Sequence, residues 1–274
     1  MRPRDAAVET HGPTDVHPTA VIDPDAELGT GVRVGPWAII GPRVQIGDGT
    51  EIGPRVLIEK DTTVGEGCWL ANGAVLGTDP QDLKYQGEPS TLTIGDRTVV
   101  REFATLNRGT SASGSTVVGT DCLLMAYSHV AHDCELGNHV VLANSVNMGG
   151  HVVIEDWVIV GGLTPIHQFV RIGAHAFVGG GSRVPQDIPP YCRAAGNRPK
   201  LYGLNAIGLE RRGFSVEVRK ALKRAYRLLF QSEENLSTAL LRAEREVEPI
   251  PEVKHLLQFI QSSERGHHDI IAYQ

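Results

Sequence analysis

The twelve residues HVAHDCELGNHV, from His129 to Val140, hold three histidines and an aspartate, and His151 and His167 follow further along the chain. A neutral imidazole beside a carboxylate has the makings of a general base. Its pKa lies near neutrality, and the carboxylate settles which ring nitrogen carries the proton. His132 and Asp133 have those types. Histidines in such number can instead hold zinc, which needs three protein ligands in tetrahedral array to activate water. They can also be bystanders on a solvated edge, and His17, His139, His175, His255, His267 and His268 are read that way. Spacing alone leaves the three readings open for the rest, so the elements that carry them must decide.

Those elements follow a period of six. From Val16 to Val184 every sixth residue is aliphatic in 26 of 29 steps, failing only at Asp82, Glu88 and Ala112, far more often than an apolar fraction of 41% would give. Glycine often follows the hit, as at Gly29, Gly35, Gly41, Gly47 and Gly53, and the fifth residue tends to be small or β-branched. A helix fits neither the period nor the glycines. Short strands that turn a corner every six residues do fit, three to a coil of eighteen, making a parallel β-helix of triangular section with the aliphatic residue in its shaft. Residues 18 apart then stack at the strand spacing of about 4.8 Å. Counting the shaft residue as first, His132 is third and Asp133 fourth from Val130, and His151 is fourth from Met148. Third and fourth positions are expected to face outward, with His151 one coil on from Asp133 and His167 near the same edge.

The three misses fall in polar, turn-rich stretches, Thr78 to Thr91 and Ser111 to Ser115, read as loops that leave the prism. The chain divides into an extension over residues 1–15, taken as disordered, a β-helix over 16–190 and an α-helical domain over 191–274. Ser215 is a candidate N-cap for a helix to Phe230, and further helices are expected near Leu236 to Val247 and Glu252 to Gln261. The four cysteines, Cys68, Cys122, Cys134 and Cys192, form no C-x-x-C pair, so neither a disulfide framework nor a zinc knuckle is suggested, and a reducing cytoplasm is the expected location. No apolar run of about 18 residues calls for membrane insertion. Net charge is -6, with 12 Lys+Arg against 22 Asp+Glu up to residue 189 and 14 against 10 beyond it. That balance argues against nucleic acid as a partner. A basic stretch from Arg211 to Arg227 could meet an acidic one.

Six segments, far apart, narrow the reading: QDLKYQGEPS from Gln81, LLMAYSHVAHDC from Leu123, GGH from Gly149, IHQF from Ile166, QDIPPY from Gln186 and GLERRGFS from Gly208. Together they resemble the UDP-N-acetylglucosamine O-acyltransferases of lipid A biosynthesis, from Val16 to the end. The resemblance implies a left-handed β-helix and a homotrimer with active sites between prisms. It implies transfer of a 3-hydroxyacyl group from acyl carrier protein to the 3-hydroxyl of UDP-N-acetylglucosamine, with no metal or redox cofactor. By it, His132 is the base, Asp133 its partner and the Gly150 N–H an oxyanion donor. Asp82, Lys84, His129, His151, His167 and Gln168 line the sugar and acyl region, Gly180 sets the acyl slot, and Asn205, Arg211 and Arg212 meet the nucleotide. Asn107 and Arg198 stand where the family usually has histidine, which leaves a 3-amino acceptor open. The rival is a zinc lyase like the γ-class carbonic anhydrases, but its H-x4-H pair is missing, Ile172 standing five after His167.

Overall fold

The computed structural model describes residues 12–263. Most of the extension at 1–15, together with His267 and His268, lies outside the described residues. The chain divides after Cys134 into two units.

The unit up to Cys134 is built of strands two to four residues long in three parallel ladders. In the first, Asp15–Val16 pairs with Arg33–Val34, then Glu51–Ile52 and Trp69–Leu70, each step advancing the register by eighteen. Val21–Ile22 and Glu27–Leu28 begin the other two in the same way. From Val34 on, the first residue of the hexad fills the shaft, and Ile40, Ile58, Leu76 and Leu106 are at most 1% exposed. The fifth fills it too, with Val32, Ala38, Val56, Cys68 and Ala74 buried. Thr50 is polar at that position and is satisfied, since its Oγ1 donates to Gly65 O at 2.8 Å and accepts from Cys68 N at 3.0 Å, whereas Ser128 Oγ, also at a fifth position, is buried without a hydrogen-bond partner.

Beyond Trp69–Leu70 the register advances by thirty to Val99–Val100, and then by twenty-four to Leu123–Leu124. The two loops therefore add twelve and six residues, whole numbers of hexads. That is why the period of six passes through them with its phase intact and misses only inside them. Strand Val75–Thr78 leads into the first loop and Thr91–Ile94 out of it. Thr105–Asn107 and Ser115–Val118 flank the second.

The corners do not turn at the glycines that follow the shaft residues. The left-handed backbone falls on the fourth residue of most hexads, among them Trp37, Arg43, Arg55, Asp121, Tyr127 and Asp133. The glycines at the second position serve close approach instead. A Cβ on Gly41 would run into the Glu59 carbonyl of the next coil, and one on Gly35 would lie 2.9 Å from Gly53 C.

The unit from Glu135 continues the same pattern. Val141–Leu142 pairs with Ile159–Val160 and Phe177–Val178, while Glu135–Leu136 pairs with Val153–Ile154 and Arg171–Ile172. The last coil is two residues short: Ile172 bridges Ile188, and Phe177 pairs with Arg193. The step of six ends at Val184 for that reason, although the sheet runs on. Strand Cys192–Ala195 extends it and turns back as Lys200–Leu204, an antiparallel hairpin inside the stretch read as α-helical.

Among the described residues four helices follow: α1 Ala206–Arg211, α2 Val216–Phe230, α3 Leu236–Glu246 and α4 Pro251–Gln261. Ser215 caps α2 by accepting from Val218 N, as its position suggests. Leu209, Leu222, Leu229, Leu240, Val253 and Leu256 form the helical core with Tyr191. Arg171 holds α4 in place: Nε donates to Asp187 at 3.0 Å, one terminal nitrogen to Ser262 Oγ at 3.0 Å and the other to Phe259 O at 2.9 Å.

Candidate active site

His132 and Asp133 lie in the tripeptide between two shaft residues, Val130 and Cys134, both fully buried. His132 Nδ1 is 2.7 Å from Asp133 Oδ2. A carboxylate at that distance accepts a hydrogen bond from Nδ1–H, which keeps the proton on Nδ1 and leaves the basic lone pair on Nε2.

Asp133 is 4% exposed although its fourth position faces away from the shaft. The second loop covers it. Thr110 N donates to Oδ1 at 2.9 Å and Thr110 Oγ1 to Oδ2 at 2.8 Å, while Ser113 N and Oγ reach Oδ1 at 3.3 and 2.5 Å. Asp133 N donates to Thr116 Oγ1 at 2.9 Å. Burial works against the charge, but the bonds from Ser113, Thr110 and His132 prevail and hold the carboxyl far below the usual carboxylate range. The left-handed backbone here, φ 59°, suits aspartate better than most residues.

His129 sits half-buried on the strand His129–Val130, its Nδ1 2.7 Å from Thr105 Oγ1. Burial lowers its pKa, with a further push from His132. Its ring is therefore held toward the neutral form.

Asp82 and Lys84 ride on the first loop. Asp82 is half-buried and turns the chain by accepting from Lys84 N at 3.0 Å and, through its carbonyl, from Tyr85 N at 3.0 Å, whereas Lys84 is exposed. Arg108 ties that loop down. Its guanidinium donates to Gly77 O, Asp79 Oδ1 and Tyr85 OH, and the residue is 1% exposed. Asn107, which departs from the family's usual histidine, is 2% exposed and donates to Thr78 Oγ1 at 2.8 Å and Asp79 O at 3.0 Å. Thr110, Ser113 and Arg108 were not singled out from the sequence. The signal was there in TLNRGTSASGS, which places several short donors around the miss at Ala112.

In the unit from Glu135, Gly150 is buried and its carbonyl accepts from Phe169 N at 3.1 Å. His151 is half-buried with φ 61°, and its ring stacks on Phe169 with centroids 4.4 Å apart. His167 and Gln168 are exposed, and His167 Nδ1 lies 3.0 Å from the Gln168 carbonyl. A Cβ on Gly180 would stand 3.2 Å from Gly162 O, so even a methyl group is tight there.

Asn205 is engaged within the fold. Its Oδ1 accepts from Gly208 N to cap α1, and Nδ2 donates to His175 O at 2.9 Å. Arg211 is exposed, while Arg212 donates to Trp157 O at 2.9 Å and lies over the Trp157 ring at 5.2 Å. Arg212 Nη1 is buried without a hydrogen-bond partner.

His139, His175 and His255, read as solvated bystanders, are not. His139 stacks on Trp157 at 3.8 Å, Trp157 faces His175 at 6.2 Å, and His175 faces Tyr191 at 5.7 Å. His255 lies 2.9 Å from Tyr191 OH and 3.0 Å from Glu155 Oε2. The fourth position turns the side chain along the corner, where it meets its counterpart one coil away.

Coils of hexads, a helical tail and an imidazole–carboxylate pair at a corner define a hexapeptide-repeat transferase. Residues 115–150 match the bacterial transferase hexapeptide model (six repeats), and residues 187–268 match UDP-N-acetylglucosamine O-acyltransferase, domain 2. The chain is 54% identical to an acyl-[acyl-carrier-protein]--UDP-N-acetylglucosamine O-acyltransferase of Myxococcus xanthus, covering 92% of this chain and 98% of the relative. It is 59% identical to the enzyme of that name from Chlorobaculum parvum, covering 92% and 96%. The solved UDP-N-acetylglucosamine acyltransferase from Bacteroides fragilis superposes with a TM-score of 0.90 at 42% identity, over 92% of this chain and 98% of that one. The chain belongs to the UDP-N-acetylglucosamine O-acyltransferase family. Its fold is that family's left-handed parallel β-helix with C-terminal helices.

Proposed function

We propose that this chain transfers a 3-hydroxyacyl group from the thioester of acyl carrier protein to the 3-hydroxyl of UDP-N-acetylglucosamine, the first step of lipid A biosynthesis. The observation that carries the mechanism is the 2.7 Å contact from His132 Nδ1 to Asp133 Oδ2. It orients Nε2 as the base that takes the hydroxyl proton as the oxygen attacks the thioester carbonyl. The carboxylate steadies the imidazolium that results. The tetrahedral oxyanion is met by the Gly150 N–H, and collapse expels the carrier thiolate, which takes up the proton from His132. The thioester is already activated, so no covalent enzyme intermediate is required.

Asp82, Lys84, His129, His151, His167 and Gln168 act on the sugar and acyl portion. Gly180 leaves the slot for the acyl chain. Arg211 and Arg212 pair with the diphosphate, and the buried, unpartnered Nη1 of Arg212 supports that role. Asn205, with both ends of its amide engaged within the fold, contributes by fixing α1 on which Arg211 stands. The active form is a cytoplasmic homotrimer with sites between prisms; no described helix is long and apolar enough to cross a membrane. Arg219, Lys220, Lys223 and Arg227 surround a groove of about 450 Å³ with Leu204, Val216 and Tyr226, a surface suited to an acidic carrier protein.

The test is acyl transfer to UDP-N-acetylglucosamine and to its 3-amino analogue from a panel of carrier-protein thioesters. Transfer to the hydroxyl sugar, and its loss by about 100-fold or more in a folded His132→Ala variant, is the expected result. Full activity in that variant refutes the mechanism, and exclusive use of the amino sugar replaces the acceptor.

A further inference from the structure

The second loop does more than leave the prism and return. Its residues Thr110 and Ser113 direct four neutral donors at one buried carboxylate, that of Asp133. Nothing in the shaft requires this. A six-residue insertion needs only turn residues, and Thr110 Oγ1 already has a local role in accepting from Ala112 N at 3.1 Å.

The carboxylate divides its charge between these donors and His132 Nδ1–H. A neutral donor bonded to a carboxylate disperses its charge and weakens its pull on a neighbouring imidazolium. We infer that Ser113 is a positioning residue that sets the basicity of His132 by holding Asp133 Oδ1, so that the imidazole is oriented without being over-stabilised in its charged form. The inference rests on the reading of His132 as the base.

The Ser113 proton has two acceptors within reach, Asp133 Oδ1 at 2.5 Å and Ser115 O at 2.8 Å. The carboxylate is both nearer and charged, so it takes the proton. Ser115 N meanwhile donates to Ser113 Oγ at 3.4 Å, which aims the hydroxyl. Other titratable groups near the dyad are His129 on the same strand, Glu88, whose Oε1 meets Ser111 N at 3.3 Å, and Arg108, two residues before Thr110. All of these are retained when Ser113 alone is changed.

The experiment is the pH profile of kcat/KM from about pH 5 to about pH 9 for the wild type, Ser113→Ala, Ser113→Thr and His132→Ala. In Ser113→Ala the carboxylate loses its closest donor and pulls harder on the imidazolium. The acidic limb should therefore move up by about half a pH unit. Ser113→Thr, which keeps the hydroxyl, should return it. A lowered plateau with the limb unmoved, or a limb displaced downward, overturns the inference, since a loop that only packs would lower the rate without changing the base. Should Ser113→Ala not fold, Ser113→Cys keeps the volume with a weaker donor and is read in the same way. A folded His132→Ala variant with full activity removes the base reading itself, an outcome distinct from any result at Ser113.

Discussion

Replacing Arg108 by methionine tests whether the first loop is held by one buried side chain. The guanidinium donates to Gly77 O, Asp79 Oδ1 and Tyr85 OH, and none of these partners is equivalent. Asp79 has a side chain 55% exposed and is rehydrated when Arg108 leaves, so its loss costs little. Gly77 is buried, and its carbonyl would be left without its partner, at about 1–3 kcal/mol. Losing the Tyr85 contact adds about 1 kcal/mol. Methionine recovers part of the packing and no longer has to bury a charge, so the net loss should be about 2–3 kcal/mol. Urea unfolding at a fixed protein concentration reads it. The freed loop carries Asp82 and Lys84, so KM for the nucleotide sugar should rise about tenfold, equivalent to about 1.4 kcal/mol, with kcat changed much less. Arg108→Lys should recover little, because one ammonium cannot reproduce a planar fork of donors. Stability within about 0.5 kcal/mol of wild type together with an unchanged KM would refute the assignment.

Two further outcomes are expected. His175 has its pKa lowered to about 4, first by burial and then by Arg212, against a small opposing pull from Asp156. The unfolded chain binds this proton near pH 6.5 while the folded chain does not. Stability is therefore complete above that pH and falls as pH drops toward 4, by about 1–2 kcal/mol after allowance for solvent screening. Urea unfolding of wild type and His175→Phe across this window should show the steeper fall in the wild type, and parallel curves would refute it. Gly41→Ala should cost about 2 kcal/mol or more, because the added methyl meets the backbone at Glu59. Thermal unfolding reads it, and a melting temperature equal to wild type would show that the coils can spread.

The sequence made the coils legible because one position in six has no alternative to an aliphatic residue: Ile40, Ile58 and Leu106 have only the shaft to occupy. The hairpin Cys192–Ala195 with Lys200–Leu204 was not legible, because the last coil is two residues short and a fixed step of six walks past Ile188 and Ala194. His132 and Asp133 were found as a pair, yet the burial of Asp133 was not. Register assigns an outward direction to a fourth position, and only the return of Thr110 and Ser113 over the corner buries it. For the same reason His139 and His175 passed as solvated residues. Their partners, Trp157 and Tyr191, are one coil away, where periodicity gives alignment but not contact.

The loops and the dyad follow from one constraint. Val130 and Cys134 are locked in the shaft, and Ala131, His132 and Asp133 are all that the chain can present between them. A corner so short cannot adjust its own side chains, which gives the precision that a general base needs but no freedom to tune it. Tuning has to come from elsewhere. An insertion made in whole hexads leaves the shaft residues in phase while it brings foreign donors over the corner, as the loop from Arg108 to Gly114 does for Asp133, or carries new side chains of its own, as the loop from Asp79 to Ser90 carries Asp82 and Lys84. Both loops keep to whole hexads, while the last coil, two residues short, still pairs Phe177 with Arg193.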